Sequence, residues 1–388
     1  MMHQGTHFLQ IPGPSPVPAD VLAATGRQVI DHRGPEFGEL GSKLLRDIKK
    51  IFKTQHDVVI FPASGTGAWE AALANLFSPG DRIATFETGH FASLWSRMAI
   101  KLGLKPTTLG TNWRAGADPA VIEDALRQDR NHEIRAVCIV HNETSTGSTS
   151  RLADIRAAID AANHPALFVV DTISGLASAD LRMDEWGIDV VVSGSQKGLM
   201  LPPGLSFNAV GPKALEASKA GGMPRSYWDW SEMIAINKSG YFPYTPATNL
   251  LFGLSLVLDK LLDEGLEAVF ARHERLAEAT RRAVQAWGLE NLCNSPIHYS
   301  PVLTTVMMPE GHSADAYRRI ALEKFNMSLG SGLSKVADKV FRIGHLGNIN
   351  ELTLAGTLAG CEMSLDLAGV PHQRGGVDVA MKYLAETA

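Results

Sequence analysis

The 388-residue chain reads as an α/β protein built around a largely parallel sheet. Short, near-continuously apolar runs rich in Val and Ile recur between about residues 40 and 260, with little polar alternation. That is the pattern of strands covered on both faces. Helix-like segments separate the runs, and such strand-helix alternation builds a sheet sandwiched between helices. The composition agrees: 45% hydrophobic, 20% charged and 7% aromatic residues are the proportions of an ordinary globular chain, which excludes disorder, collagen and coiled coil. At this length two domains are expected.

Along the chain, the first element is an arm, residues 1–20, in which Pro12, Pro14, Pro16 and Pro18 deny backbone donors and favour extended chain, neither helix nor central strand. His3 and His7 stand four apart, as metal ligands on a helix would, but beside Gly and four prolines they read as a tail, and no metal is expected. Six strands follow at VVIF (58–61), RIATF (82–86), AVCIV (136–140), ALFVV (166–170), DVVVS (189–193) and SFNAV (206–210). Between them lie helices such as AWEAALANLF and RLADIRAAIDAA. After Pro246 one amphipathic stretch, about 250–287, carries Leu250, Leu254, Val257 and Leu261 on a single face. SPVLTTVMM (300–308), SADAYRRIALEKF (313–325), KVFRIG (339–344) and a final helix from about 350 then read as β-α-β-α. The expected organisation is the arm, a large domain over 21–262 and a smaller C-terminal α+β domain over 263–388.

The charge balance is 36 Lys+Arg against 41 Asp+Glu, a net −5, with no basic run that could follow a phosphate backbone, so nucleic acid is not an expected partner. Cys138, Cys293 and Cys361 are isolated, as in a reducing compartment. No basic leader precedes an apolar segment and no apolar run approaches about 18 residues, so a membrane is not expected and the location is read as cytoplasmic.

Open α/β sheets bind ligands beyond the carboxyl ends of their strands, and the residues just after the apolar runs are unusual there. VVIFPA is followed by Ser64-Gly65-Thr66-Gly67 and a helix, where free N–H groups would suit a phosphate or simply make a capped turn. A dinucleotide fingerprint fails because its third glycine falls on Glu70, although Glu87 lies about 20 residues on. LFVV ends in Asp171 and DVVVSGSQ leads into Lys197. Opposite charges at the ends of buried strands need partners, water or a ligand. They form either a structural salt bridge or the pair pyridoxal phosphate requires, a lysine for its aldehyde and an aspartate for its ring nitrogen. HNETSTG (141–147) places hydroxyls at another strand end, as ligand contacts or as a cap for the helix near Arg151. In KVFRIG, Phe341 and Ile343 point one way and Arg342 the other, toward a cleft or toward solvent.

Together SGTGAWEAAL, HNETSTG, VVDTIS, VSGSQKGLMLPPG and FRIGHLG resemble the class V aminotransferases, fold-type I pyridoxal-phosphate enzymes, in their serine-glyoxylate and alanine-glyoxylate branch. The likeness runs from PGPSPVP through GHLG. It implies a mostly parallel seven-stranded sheet in the large domain, pyridoxal 5′-phosphate as cofactor, and a homodimer with its active site at the subunit interface. By the same resemblance Lys197 forms the internal aldimine and moves the proton between Cα and C4′, while Asp171 pairs with the pyridinium nitrogen. Ser64, Gly65 and Thr66, helped by Gln196, bind the phosphate. Thr144 meets the ring hydroxyl oxygen, Ile173 packs beneath the ring, and Phe91 or the adjacent His90 stacks over it, where the family often has tryptophan. GYFPYTPAT of the partner subunit supplies a tyrosine and a threonine, matched by Tyr241 and Thr245, although the tyrosine column itself falls on Phe242 and Tyr244 is close. Arg342 holds the substrate α-carboxylate. The implied reaction moves an amino group from a small L-amino acid, foremost L-serine, to glyoxylate, giving hydroxypyruvate and glycine. Alanine or aspartate as donor, or a lyase or desulfurase on the same fold, are the alternatives, and a desulfurase would have only Cys293 available.

Overall fold

In the computed structural model, which describes residues 5–388, the six apolar runs lie side by side. The chain begins β1 (Phe8–Gln10), α1 (Ala19–Thr25), α2 (Pro35–Ile51), β2 (Asp57–Phe61), α3 (Gly65–Leu76), β3 (Arg82–Glu87), α4 (His90–Lys101), β4 (Lys105–Thr111), α5 (Pro119–Gln128) and β5 (Ile134–Val140). Two short strands follow, β6 (Asn142–Glu143) and β7 (Ser148–Thr149), then α6 (Leu152–Ala161), β8 (Leu167–Asp171), β9 (Val190–Gly194), β10 (Ser206–Val210), α7 (Pro212–Ala220), α8 (Trp230–Asn237) and α9 (Thr248–Glu264). The chain ends α10 (Leu266–Ala286), β11 (Glu290–Asn291), β12 (Leu303–Met307), α11 (Ala314–Phe325), β13 (Met327–Ser331), β14 (Val340–Gly344), α12 (Glu351–Leu367) and α13 (Gly376–Glu386).

The larger sheet has seven strands in the order β2-β10-β9-β8-β5-β3-β4, with only β10 antiparallel to its neighbours. Its strands lack polar alternation because both faces are covered. Val170 and Val191 enter a core with Phe37, Ile48 and Leu254 of α2 and α9, whereas Val169 and Val192 enter the opposite core with Trp69 and Trp95 of α3 and α4. Each such fully buried side chain stabilises the fold by about 1.5–3 kcal/mol. The seventh strand, β4, has no apolar run. KPTTLGT is an edge strand with no buried residue, and its Gly110 lies opposite Phe86, where a Cβ would come 2.6 Å from the ring.

The second sheet departs more from expectation. Its order is β1-β13-β14-β12-β11, five strands where the sequence suggested two. The extended arm supplies β1, parallel to β13, and β13 itself is MSLGS, too rich in Gly and Ser to read as a strand. The single helix expected over 250–287 is two, α9 and α10, broken at Gly265 with φ of 82°. The final helix is likewise two, α12 and α13, parted by Pro371 and by Gly375 at φ of 103°. His3 lies outside the described residues. His7 uses both ring nitrogens on β13 and its flank, Nδ1 with Asn326 Oδ1 at 2.8 Å and Nε2 with Ser328 Oγ at 3.1 Å. Among the described residues, no group of three or more His, Cys, Asp or Glu side chains is placed to hold a metal ion.

Three histidines are locked inside as neutral rings. His273 donates from Nδ1 to the Val269 carbonyl at 2.7 Å and accepts the Gly347 N–H on Nε2 at 3.0 Å. His345 donates to the Pro301 carbonyl at 3.1 Å and accepts from Thr304 Oγ1 at 3.0 Å. Burial pulls His141 and His273 down to about 4 and His345 to about 3. The unfolded chain takes these protons near pH 6.5 and the folded chain refuses them, so their stabilisation is complete above about pH 6.5 and is lost as the pH falls from there toward 4. Urea midpoints should therefore drop between pH 6.5 and 4.5, and the C2–H resonances of these three rings should stay fixed over that range. Titration of all three near pH 6.5 would contradict the buried neutral assignment.

Candidate active site

The carboxyl ends of β2, β5, β8 and β9 open into one pocket. Its lining includes Ser64, Gly65, Thr66, Phe91, Thr144, Asp171, Ile173, Gln196 and Lys197, nine of the residues singled out from sequence. A roomier hollow among Arg46, Lys49, Asp57 and Asn237 is open to solvent and holds no buried charge, so size does not choose the site.

At one wall, Ser64 precedes α3 in extended conformation and makes no side-chain capping bond. Its hydroxyl and the first N–H groups of the helix are therefore left for a ligand. Gly65 admits no side chain, because a Cβ would lie 2.5 Å from Ile173 Cδ1. Gln196 brings a buried Oε1 that has no partner. Turned over, the same amide presents a donor.

Asp171 ends β8 and is 4% exposed. Its Oδ1 accepts the Ile173 N–H at 2.6 Å and its Oδ2 the Trp69 indole N–H at 3.0 Å. Burial, with Glu143 nearby, nevertheless raises its carboxyl to about 7. Lys197 follows β9, and its Nζ donates to the Pro12 carbonyl at 2.6 Å. Burial first, then the Arg342 charge, lowers its amine to about 8. The two charges thus share the pocket with different partners, and the direct salt bridge that the sequence allowed does not form.

The arm closes over the lysine. Ser15 N–H donates to the Gln196 carbonyl at 3.0 Å and Ser15 Oγ to the Lys197 carbonyl at 2.7 Å. Gly13, at φ of 112°, lies so near that a Cβ would stand 2.2 Å from Nζ.

Sequence reasoning missed Trp69, Val140, Asn142 and Ser174 in the lining, and Glu143 behind it. Glu143 is buried and accepts from Ser145 Oγ at 2.6 Å, Ser145 N at 3.0 Å, Ala92 N at 3.1 Å and Phe91 N at 3.3 Å. It thereby holds the start of α4 and aims Phe91 into the pocket. The signal was an acid inside HNETSTG, where an unpaired buried carboxylate needs N–H donors. His90, adjacent, turns away to Ser334 Oγ at 2.7 Å.

Arg342 is not part of this lining. It is 7% exposed on β14, donates from Nη1 to the Thr144 carbonyl and from Nε to the Ser331 carbonyl, both at 2.7 Å, and so stands behind Thr144. Tyr241 and Thr245 are not brought to the pocket by their own chain. Tyr241 donates to the Gly34 carbonyl at 3.3 Å, and Thr245 is exposed. Tyr244 is spent on the Tyr227 carbonyl. Glu87, the acid of the discarded dinucleotide reading, instead accepts from Trp113 Nε1 at 2.8 Å and Lys335 at 2.5 Å. Cys293 is not available either: it is 3% exposed, and burial raises its thiol.

A buried lysine and aspartate at the carboxyl rim of a mostly parallel sheet, beside an uncapped helix start, make a site for a phosphorylated carbonyl cofactor. Residues 7–349 match the family described as Aminotransferase class-V, and the chain belongs to that family. It is 47% identical over 387 residues, 99% of this chain and 96% of the relative, to a serine–glyoxylate aminotransferase of Arabidopsis thaliana. It is 43% identical over 97% of its length to an L-aspartate–glyoxylate aminotransferase of Paracoccus denitrificans, of which 96% is covered. The crystal structure of pyridoxamine-pyruvate aminotransferase from Mesorhizobium loti superposes with a TM-score of 0.92 at 27% identity, covering 100% of this chain and 99% of that one. The protein is an aminotransferase of fold type I, and its cofactor is pyridoxal 5′-phosphate.

Three observations fit that cofactor to these residues. The Asp171 carboxyl feels the Lys197 charge only at a distance and has no cation in contact, and a cation placed against it would return it to its ionised form. The helix start at Ser64 and the amide of Gln196 are unspent. Lys197 presents an amine whose neutral form is accessible near physiological pH. In the cofactor-free protein, reductive trapping of a small aldehyde on Lys197, followed by peptide mass, should rise with pH to a midpoint near 8. A midpoint near the ordinary lysine value of 10.5 would refute the perturbed amine.

Proposed function

We propose that this enzyme transfers the amino group of L-serine to glyoxylate, yielding hydroxypyruvate and glycine, and that it works as a cytoplasmic homodimer. The observation that carries the catalytic part is the pair Lys197 and Asp171, both buried and neither neutralised by the other. The choice of serine rests on the named activity of the 47% relative, and the aspartate-specific relative at 43% makes aspartate the second donor to test. Three unpaired buried cysteines, Cys138, Cys293 and Cys361, support a reducing compartment.

When bound, the cofactor supplies an electrophilic carbon for amines and a cationic ring that accepts the electron pair left at Cα. In this reading the chain does the rest. Ser64, Gly65, Thr66 and Gln196 would hold the phosphate, Ile173 and Phe91 would pack against the ring, and Thr144 would meet its hydroxyl oxygen. Asp171 keeps the ring nitrogen protonated. The Lys197 amine would anchor the cofactor and, once freed, would take the proton from Cα and deliver it to C4′, which an amine that is neutral near physiological pH can do. Arg342, with Nε and Nη1 donating to backbone carbonyls, would receive the α-carboxylate through Nη2 at the edge of the pocket. Buried as it is, its guanidinium is drawn down to about 10 and remains a full cation near neutral pH. Thr245, exposed in its own chain, is free to reach a partner's phosphate site, and Tyr241 would have to leave the Gly34 carbonyl to do the same.

A screen of L-serine, L-alanine and L-aspartate against glyoxylate and pyruvate tests the substrates. L-serine with glyoxylate should give the highest kcat/KM, and a higher value with aspartate would replace the proposal. Arg342→Ala should raise the donor KM about 10-fold or more with cofactor content unchanged, whereas an unaltered KM would remove the residue from carboxylate binding.

A further inference from the structure

Two tryptophans lie in one layer against the larger sheet. Trp69 of α3 and Trp95 of α4 stack with ring centroids 5.9 Å apart and planes 14° from parallel, and each is 3% exposed. They differ in what the indole N–H does. Trp69 Nε1 donates to Asp171 Oδ2 at 3.0 Å, whereas Trp95 Nε1 is buried without a partner. Among the described residues, Trp69 is the one side chain that donates to this carboxylate, whose other oxygen is held by the Ile173 backbone.

We infer that Trp69 is a positioning residue of the transamination: its indole N–H holds Asp171 ionised and turned toward the ring nitrogen, so that the proton those two groups share rests on the ring. The inference rests on the role given to Asp171 above. Its chemistry follows from the donor type. Indole donates and cannot accept, so it stabilises a carboxylate and offers nothing to the O–H of a carboxylic acid. A hydroxyl in its place could serve either form. The bias is needed here, because burial and the neighbouring Glu143 both push Asp171 toward its protonated form. A hydrogen bond to a charged group changes such an equilibrium by about ten- to hundredfold. The rest of the indole packs on Trp95, which fixes the direction of the N–H without a second polar partner.

The stacked pair provides its own control, since Trp→Phe at either position removes one buried indole and keeps an aromatic ring. In the full-length holoenzyme, Trp69→Phe should lower kcat about ten- to hundredfold with the donor KM within about twofold, and should weaken cofactor binding in ultrafiltration about tenfold. Trp95→Phe should leave kcat and cofactor affinity within about twofold of the parent, since its N–H has no partner to lose. A purely structural role would instead lower the melting temperatures of both variants without separating their kcat values. Equal kcat and equal cofactor affinity in the two variants would overturn the inference. Trp69→His, which keeps a ring N–H, covers the case in which Trp69→Phe does not fold. Near-parental cofactor affinity in Trp69→His supports the inference, and a tenfold loss overturns it. Asp171→Ala separates this inference from the reading beneath it. Full rate in Asp171→Ala would sink both, whereas a large loss there with none in Trp69→Phe sinks only the role of Trp69.

Discussion

The site depends on two buried charges of opposite sign held in one pocket and kept from satisfying each other. Lys197 is drawn to the Pro12 carbonyl and Asp171 to Trp69 and Ile173, so each retains part of the desolvation cost that a direct ion pair would have relieved. That residual cost is visible as a lysine made less basic and an aspartate made less acidic. A cationic ring beside the carboxylate and a carbonyl carbon beside the amine remove both penalties together. The protein is thus built for its cofactor in the sense that binding relieves what folding left unpaired.

Everything around that pair keeps it so. The strands that end in Asp171 and lead to Lys197 are buried on both faces, which leaves no freedom for either backbone to drift. Glu143 secures the start of α4 through the N–H groups of Phe91 and Ala92 and its own turn through Ser145, and so sets Phe91, while Arg342 reaches from the second sheet to the carbonyl of Thr144 in the turn between β6 and β7. The carboxylate braces the pocket from within its own domain, and the guanidinium ties the second sheet to the pocket's edge.

Much of this was legible in the sequence, and the gaps have physical causes. Strands buried on both faces announce themselves by apolar runs, which is why β2, β3, β5, β8, β9 and β10 could be read. The edge strand β4, open to solvent, and β13, built from Met, Ser, Leu and Gly, carry no such mark. The breaks at Gly265 and Gly375 rest on left-handed backbone, and a glycine within a helical pattern does not by itself say that the helix ends. In the site, residues placed by strand ends and by the SGTG turn were legible, because chemistry-bearing side chains there have little else to do. Trp69 was not, since an indole in AWEAAL looks like any core residue of α3 until the register of the helix against β8 is known. Tyr241, Tyr244 and Thr245 stayed ambiguous for another reason: their own chain gives none of them a place in the pocket.

The N-terminal arm carries a mechanical consequence. Residues Phe8–Gln10 are woven into the edge of the second sheet beside β13, and two residues later the same peptide leans its Pro12 carbonyl on the Lys197 amine. Because so short a span cannot stretch, moving the second sheet away from the first would require the edge strand to peel off, or the Pro12 carbonyl to lift together with the two Ser15 bonds that follow it. The edge of the second sheet and the reactive amine are thus joined by two residues of backbone, so a displacement of one strains the other.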